Sequence, residues 1–226
     1  IISDPLSPQL LMAIKWLWFG VMTSAMLGVF PAISTKLAFF SSLILFGYSS
    51  NFGTISHSKN LILLFMGVLS LSRCGDAFAL WSCRQKTHVD RFIYVWPFAL
   101  LNTLAALYYF GAGYQKLIRT GWSWASADNQ AAILLGTVST SPFGYWLLQN
   151  WPSFFSFIGV YVLLIEILSP LTLINSYLRA IFIINWIMFH LGTYWILQLK
   201  SFLICIPCLV AIFPWHLFSG YLLFEK

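Results

Sequence analysis

The 226-residue chain is 60% hydrophobic, 19% aromatic and only 8% charged, with a mean hydropathy of +0.83. Soluble domains carry about 25% Asp, Glu, Lys and Arg, so the missing solvent here is lipid, and a soluble enzyme, a disordered chain and a nucleic-acid-binding domain are all poor readings. The net charge of +6, from 12 Lys and Arg against 6 Asp and Glu, is spread along the chain and suits anionic lipid headgroups.

A membrane-crossing helix takes about 20 apolar residues, so the length holds roughly six or seven crossings and leaves nothing for a soluble domain. Strands of a membrane barrel alternate over segments of about ten residues, whereas these runs are continuously apolar. The expected fold is an all-α integral membrane protein, a multi-pass bundle forming one domain over residues 1–226. Because it begins on Ile1, the sequence is expected to belong to a longer or processed product.

A polar entry with Pro5 and Pro8 leads into span one, residues 10–30, which carries Lys15 and stops at Pro31. Span two is short, residues 37–48, and a loop follows to residue 60. Span three covers residues 61–81, and a basic loop with Arg84, Lys86 and Arg91 comes next. Span four, residues 92–117, is long enough to tilt or protrude. Residues 118–152 form the one extended polar segment, with Trp122, Trp124, Trp146 and Trp151 at headgroup level and a surface helix over 130–138. Span five is residues 154–174 and span six is residues 178–199; a last apolar run over 202–218 is kinked or re-entrant at Pro207 and Pro214. With seven spans, Lys36, Arg84, Lys86, Arg91, Arg179 and Lys226 share the expected cytoplasmic side, opposite Lys59, Lys116, Arg119 and Lys200.

Ionisable residues inside a membrane are functional candidates by default. Asn102, Tyr109 and Lys116 are spaced seven apart, which puts them on one face of span four, with Gly113 leaving room for a neighbour. Desolvation disfavours an ammonium group, so a buried lysine yields an amine able to act as general base; a helix-end lysine also snorkels to the interface, and position alone favours that. Glu166 lies within span five and must be protonated or paired across helices. Pro170 cannot donate to the Glu166 carbonyl, and His190 in span six is the expected partner of Glu166, as a structural clamp or a catalytic pair. Cys205 and Cys208 form C-x-x-C, read as two inert buried thiols, while Cys74 and Cys83 would bridge in an oxidising compartment. Neither a phosphate loop nor a metal-ligand spacing is present, so no metal is expected.

Four local patterns occur in order: Asp4-Pro5-Leu6-Ser7-Pro8; Ser56-His57-Ser58-Lys59-Asn60-Leu61; Tyr109-Phe110-Gly111-Ala112-Gly113-Tyr114-Gln115-Lys116-Leu117; and Glu166-Ile167-Leu168-Ser169-Pro170 with Phe189-His190-Leu191-Gly192. Together they resemble the HTTM domain, the membrane domain shared by vitamin K-dependent gamma-glutamyl carboxylase and many bacterial proteins. The resemblance implies that Lys116 matches the lysine that deprotonates a vitamin K-like quinol, and that His57 matches a histidine holding the reacting centre. The sequence departs from the carboxylase pattern at Ser56, where asparagine is expected, at Lys15 for arginine, and at Gln115 for a second lysine. In the carboxylases a large lumenal domain that binds propeptide and glutamate follows the membrane part, which is the part these residues match.

Two functions follow. One is a quinol-binding, carboxylase-like enzyme with Lys116 as base, His57 as orienter, and Glu166, His190, Tyr109 and Asn102 shaping the pocket. The other is a non-catalytic subunit whose polar groups clamp helices and whose apolar faces pack on lipids, pigments or other membrane subunits.

Overall fold

The computed structural model describes residues 6–51, 57–74, 76, 79–81, 92–136 and 141–219. Among them there is no strand, only an isolated bridge between Val29 and Trp81. The helices are α1 (Pro8–Met26), α2 (Pro31–Asn51), α3 (His57–Leu71), α4 (Phe92–Thr120), α5 (Ala127–Gly136), α6 (Pro142–Asn150), α7 (Pro152–Ile167), α8 (Ser176–Leu197), α9 (Ile206–Ile212) and the short α10 (His216–Ser219). Prolines open α1, α2, α6 and α7, where the missing N–H has no helical partner to lose. Ser7 caps α1 and Ser141 caps α6 through their side-chain oxygens, at 3.3 Å and 2.8 Å.

Among the described residues, three stretches are long and apolar enough to cross a membrane: Pro31–Ser50, Phe92–Ala125 and Ser176–Leu197. Counting α6 and α7 as one broken span makes four; the pair is bent by 107° at Trp151. Helix α1 has 19 residues, hence the length, but is not among the three.

The elements differ from the sequence expectation at their ends. Span three ends at Leu71, so α3 has 15 residues. Span five stops at Ile167, because Pro170 cannot continue the helical ladder, and the chain goes on as a 3-10 turn over Ser169–Leu173. Residues 118–152, expected as a partly helical segment, hold the end of α4, a 3-10 turn over Gly121–Ala125, then α5 and α6; the helix expected over 130–138 starts earlier, at Ala127. The last apolar run becomes a 3-10 turn, Lys200–Cys205, followed by α9. Arg84, Lys86, Arg91, Cys83 and Lys226 lie outside the described residues.

The chain divides into two compact units, residues 1–101 and 102–226. In unit 1, α1 packs on α2 and α2 on α3. Trp18 Nε1 donates to the buried Ser42 Oγ at 2.7 Å, and Ser42 Oγ donates in turn to Ala38 O at 2.7 Å. Most hydroxyls in these helices turn back on their own backbone: Thr23 on Phe19, Ser24 on Gly20, Thr35 on Pro31 and Ser50 on Phe46. A back-bonded hydroxyl exposes mainly carbon, which keeps such helices compatible with lipid.

In unit 2, α7 packs on α5, α6 and α8, while α8 also touches the 169–173 turn, the 200–205 turn and α9. Its interior contains Ala105, Ala106, Tyr109, Leu163, Ile183, Trp186 and Leu209. A smaller cluster of Leu134, Leu147 and Phe155 joins α5, α6 and α7.

Candidate functional site

One face of α4 carries Asn102, Ala105, Ala106, Tyr109, Gly113 and Lys116, positions that recur at three, four and seven residues. Asn102 and Tyr109 are buried on this face. Lys116 Nζ lies 2.6 Å from both Glu166 Oε1 and Oε2, a forked ion pair between α4 and the last turn of α7. The Glu166 side chain is 4% exposed and that of Lys116 is 23% exposed. A carboxylate beside the carbonyl end of a helix is electrostatically unfavourable, so Glu166 depends on Lys116 for compensation.

Gly113 makes that pair possible. A Cβ there would stand 2.7 Å from Glu166 Cβ and 3.1 Å from the Ile167 nitrogen, closer than real contacts allow. Gly113→Ala is therefore expected to push α7 from α4 and to lower stability in detergent by about 1–3 kcal/mol, the usual effect of overpacking. A thermal unfolding curve identical to that of the parent would contradict the close approach.

The outer side of the pair is roofed. Lys116 Nζ lies 4.3 Å from the centroid of the Trp124 ring, in cation–π contact. Trp124 belongs to the 3-10 turn after α4, and its carbonyl accepts from Asn129 Nδ2 and Gln130 Nε2, each at 2.7 Å. Gly159 of α7 seats the same turn: a Cβ there would lie 2.8 Å from Ala125 Cα.

A second pair lies deeper. Tyr109 Oη and His190 Nε2 are 2.6 Å apart, the ring tautomer deciding which donates. The Tyr109 ring stacks on Trp186, with centroids 4.0 Å apart and planes at 12°. Trp186 and His190 are one turn apart on α8 and both buried. Ser169 Oγ donates to Ala106 O at 2.8 Å and Asn102 Nδ2 to Thr172 O at 3.5 Å, which staples α4 to the turn after α7. Of the buried polar atoms that have no hydrogen-bond partner among the described residues, four belong to these side chains: Asn102 Oδ1, Thr172 Oγ1, Trp186 Nε1 and His190 Nδ1.

Five of the six site residues expected from sequence thus belong to unit 2: Asn102, Tyr109, Lys116, Glu166 and His190. The pairing differs from expectation. Glu166 meets Lys116 and not His190, whose partner is Tyr109. Lys116 is correspondingly in an ion pair and not surrounded by apolar groups alone. His57 opens α3 in unit 1, and its side chain lies outside the described residues. Cys205 and Cys208 are both buried, Cys74 is exposed, and Cys83 lies outside the described residues. Among the described residues no three His, Cys, Asp or Glu side chains gather as a metal site.

Trp186 escaped the sequence reasoning, which places Trp124 at headgroup level and not as a partner of Lys116. Trp186 had a signal, its four-residue spacing from His190 on an apolar helix. Trp124 had none, because its place over Lys116 depends on where α4 ends. Comparison with family models, with curated proteins and with solved structures finds no match for this chain.

Proposed function

We propose that the chain is a multi-pass integral membrane protein whose unit 2 binds a quinol-like aromatic alcohol and removes its proton at the Lys116–Glu166 pair. The observation that carries this reading is the forked ion pair itself. A buried ion pair adds little stability over well-packed apolar residues, and an ionisable pair on apolar helices marks chemistry more than packing. Helix α4, with 29 residues, is about 44 Å long at 1.5 Å per residue, more than the ~30 Å of a hydrocarbon core. Its Lys116 end accordingly lies near the headgroup layer, where an amphiphilic ring would enter.

Transfer of one proton from the Lys116 ammonium to the Glu166 carboxylate leaves a neutral amine beside a neutral acid. The amine then accepts a proton from a bound hydroxyl and becomes ammonium again, beside the resulting oxyanion. A quinol bound there would supply the acidic hydroxyl and two reducing electrons. At the pair itself, the Trp124 ring over Lys116 Nζ shows that a flat aromatic face is accommodated there, as a quinol ring would require.

Lys116→Arg is the sharpest test. Arginine keeps a cation opposite Glu166 but does not release its proton near neutral pH. Oxygen consumption driven by a reduced naphthoquinone in proteoliposomes should fall to background in this variant while the protein remains folded. Undiminished uptake would refute the base assignment.

A second reading rests on α8. Tyr177, Ile181, Ile184, Met188 and Trp195 are all exposed on it and fall at alternating intervals of four, three, four and seven residues. Such a stripe fits a partner helix, as in a non-catalytic subunit of a larger membrane complex. Purification from its own membrane in mild detergent at fixed stoichiometry with other chains would favour that reading; a solitary chain would oppose it.

A further inference from the structure

We propose that Trp124 is a lid on the Lys116–Glu166 pair, and that the ligand takes the place of its indole, presenting a planar aromatic face to the lysine. This rests on the site reading given above and specifies its ligand.

The Glu166 side of the pair is closed: its side chain is almost wholly buried, and α4 packs so near it that a Cβ on Gly113 would stand 2.7 Å from Glu166 Cβ. Lys116 keeps its partial exposure on the remaining side, and the Trp124 ring stands over the amine there. The backbone beneath that ring cannot swing easily. Its carbonyl is held by two amide side chains, and its neighbour Ala125 is 2% exposed against Gly159. The indole itself is only half-buried. Anchored backbone with a partly exposed ring describes a door whose hinge is the side-chain torsions.

The indole also indicates what can replace it. An ammonium held against a π-face loses that contact when the ring swings out, and a saturated molecule does not restore it. An aromatic ring does, and a ring bearing a hydroxyl also brings a proton donor to the pair. The lid thus favours planar aromatic alcohols over saturated ones of the same size.

The test is acylation of lysines by an apolar N-hydroxysuccinimide ester in detergent, read by peptide mass spectrometry with the exposed Lys200 as internal reference. Trp124→Ala and Trp124→Leu should each raise the Lys116 rate by about fivefold or more, the loss of one cation–π contact, whereas Trp124→Phe should raise it less. In the unmutated protein, 1-naphthol should protect Lys116 and decahydro-1-naphthol at equal concentration should not. Unchanged Lys116 labelling in the alanine and leucine variants overturns the lid. Equal protection by both alcohols, or by neither, overturns the aromatic ligand. Neither readout requires turnover, so a failure of quinol oxidation with these results intact would remove the proposed reaction and leave the lid standing.

Discussion

Lys116→Met is expected to destabilise the protein far more than Glu166→Leu, although both break the same ion pair. Removing the lysine strands a carboxylate whose side chain is 4% exposed, at the carbonyl end of α7, and which makes no other ion pair among the described residues. Breaking a buried pair in this way costs about 3–5 kcal/mol. Removing the carboxylate leaves an ammonium that is 23% exposed, still over the Trp124 ring and able to reach water. That loss should be about 1–2 kcal/mol. The double variant Lys116→Met/Glu166→Leu should lose about 2–3 kcal/mol less than the two single losses summed, because two apolar chains fill the space without a stranded charge. Unfolding in detergent by heat or denaturant gives the cycle directly, with a coupling of about 2–3 kcal/mol expected between residues in contact. Additive and equal single losses would mean that the two groups do not depend on one another.

The other large effect lies at Trp186. Its ring is 0% exposed and forms the floor under Tyr109. Truncation to alanine should cost about 3–5 kcal/mol, as for other buried aromatic residues. Trp186→Phe should cost only about 1–2 kcal/mol, since Nε1 donates to no partner among the described residues and a smaller ring still stacks on Tyr109. A phenylalanine variant as damaged as the alanine variant would show that the indole N–H has a partner that matters.

Much of this architecture is legible in the residues. Continuous apolar runs specify helices, and Pro170 marks where α7 must end. The seven-residue spacing of Asn102, Tyr109 and Lys116 is enough to identify the face of α4 that pairs with other segments. What could not be read is which polar group meets which. Glu166 lies 50 positions from Lys116 and 24 from His190, and a shift of α7 by the two turns of α4 that separate Lys116 from Tyr109 would exchange its neighbours. That register is set by Gly113, whose absent side chain admits Glu166, and by Ser169 bonding to Ala106. Both are tertiary facts carried by small residues that look unremarkable in a linear string. The 3-10 turn carrying Trp124 is illegible for a related reason, since its conformation depends on two amides five and six positions ahead.

The two units use their polar side chains in different ways, and this bears on how the sequence can drift. In α1 and α2 most hydroxyls bond to a carbonyl one turn back, so each is a local matter and alanine would serve nearly as well. In residues 102–226 the serine, tyrosine, lysine and glutamate described above bond across segments, so each choice constrains a distant one. Substitutions in the first unit can therefore accumulate one at a time. In the second they must arrive in compensating pairs, and its ancestry will stay recognisable after that of the first has been erased.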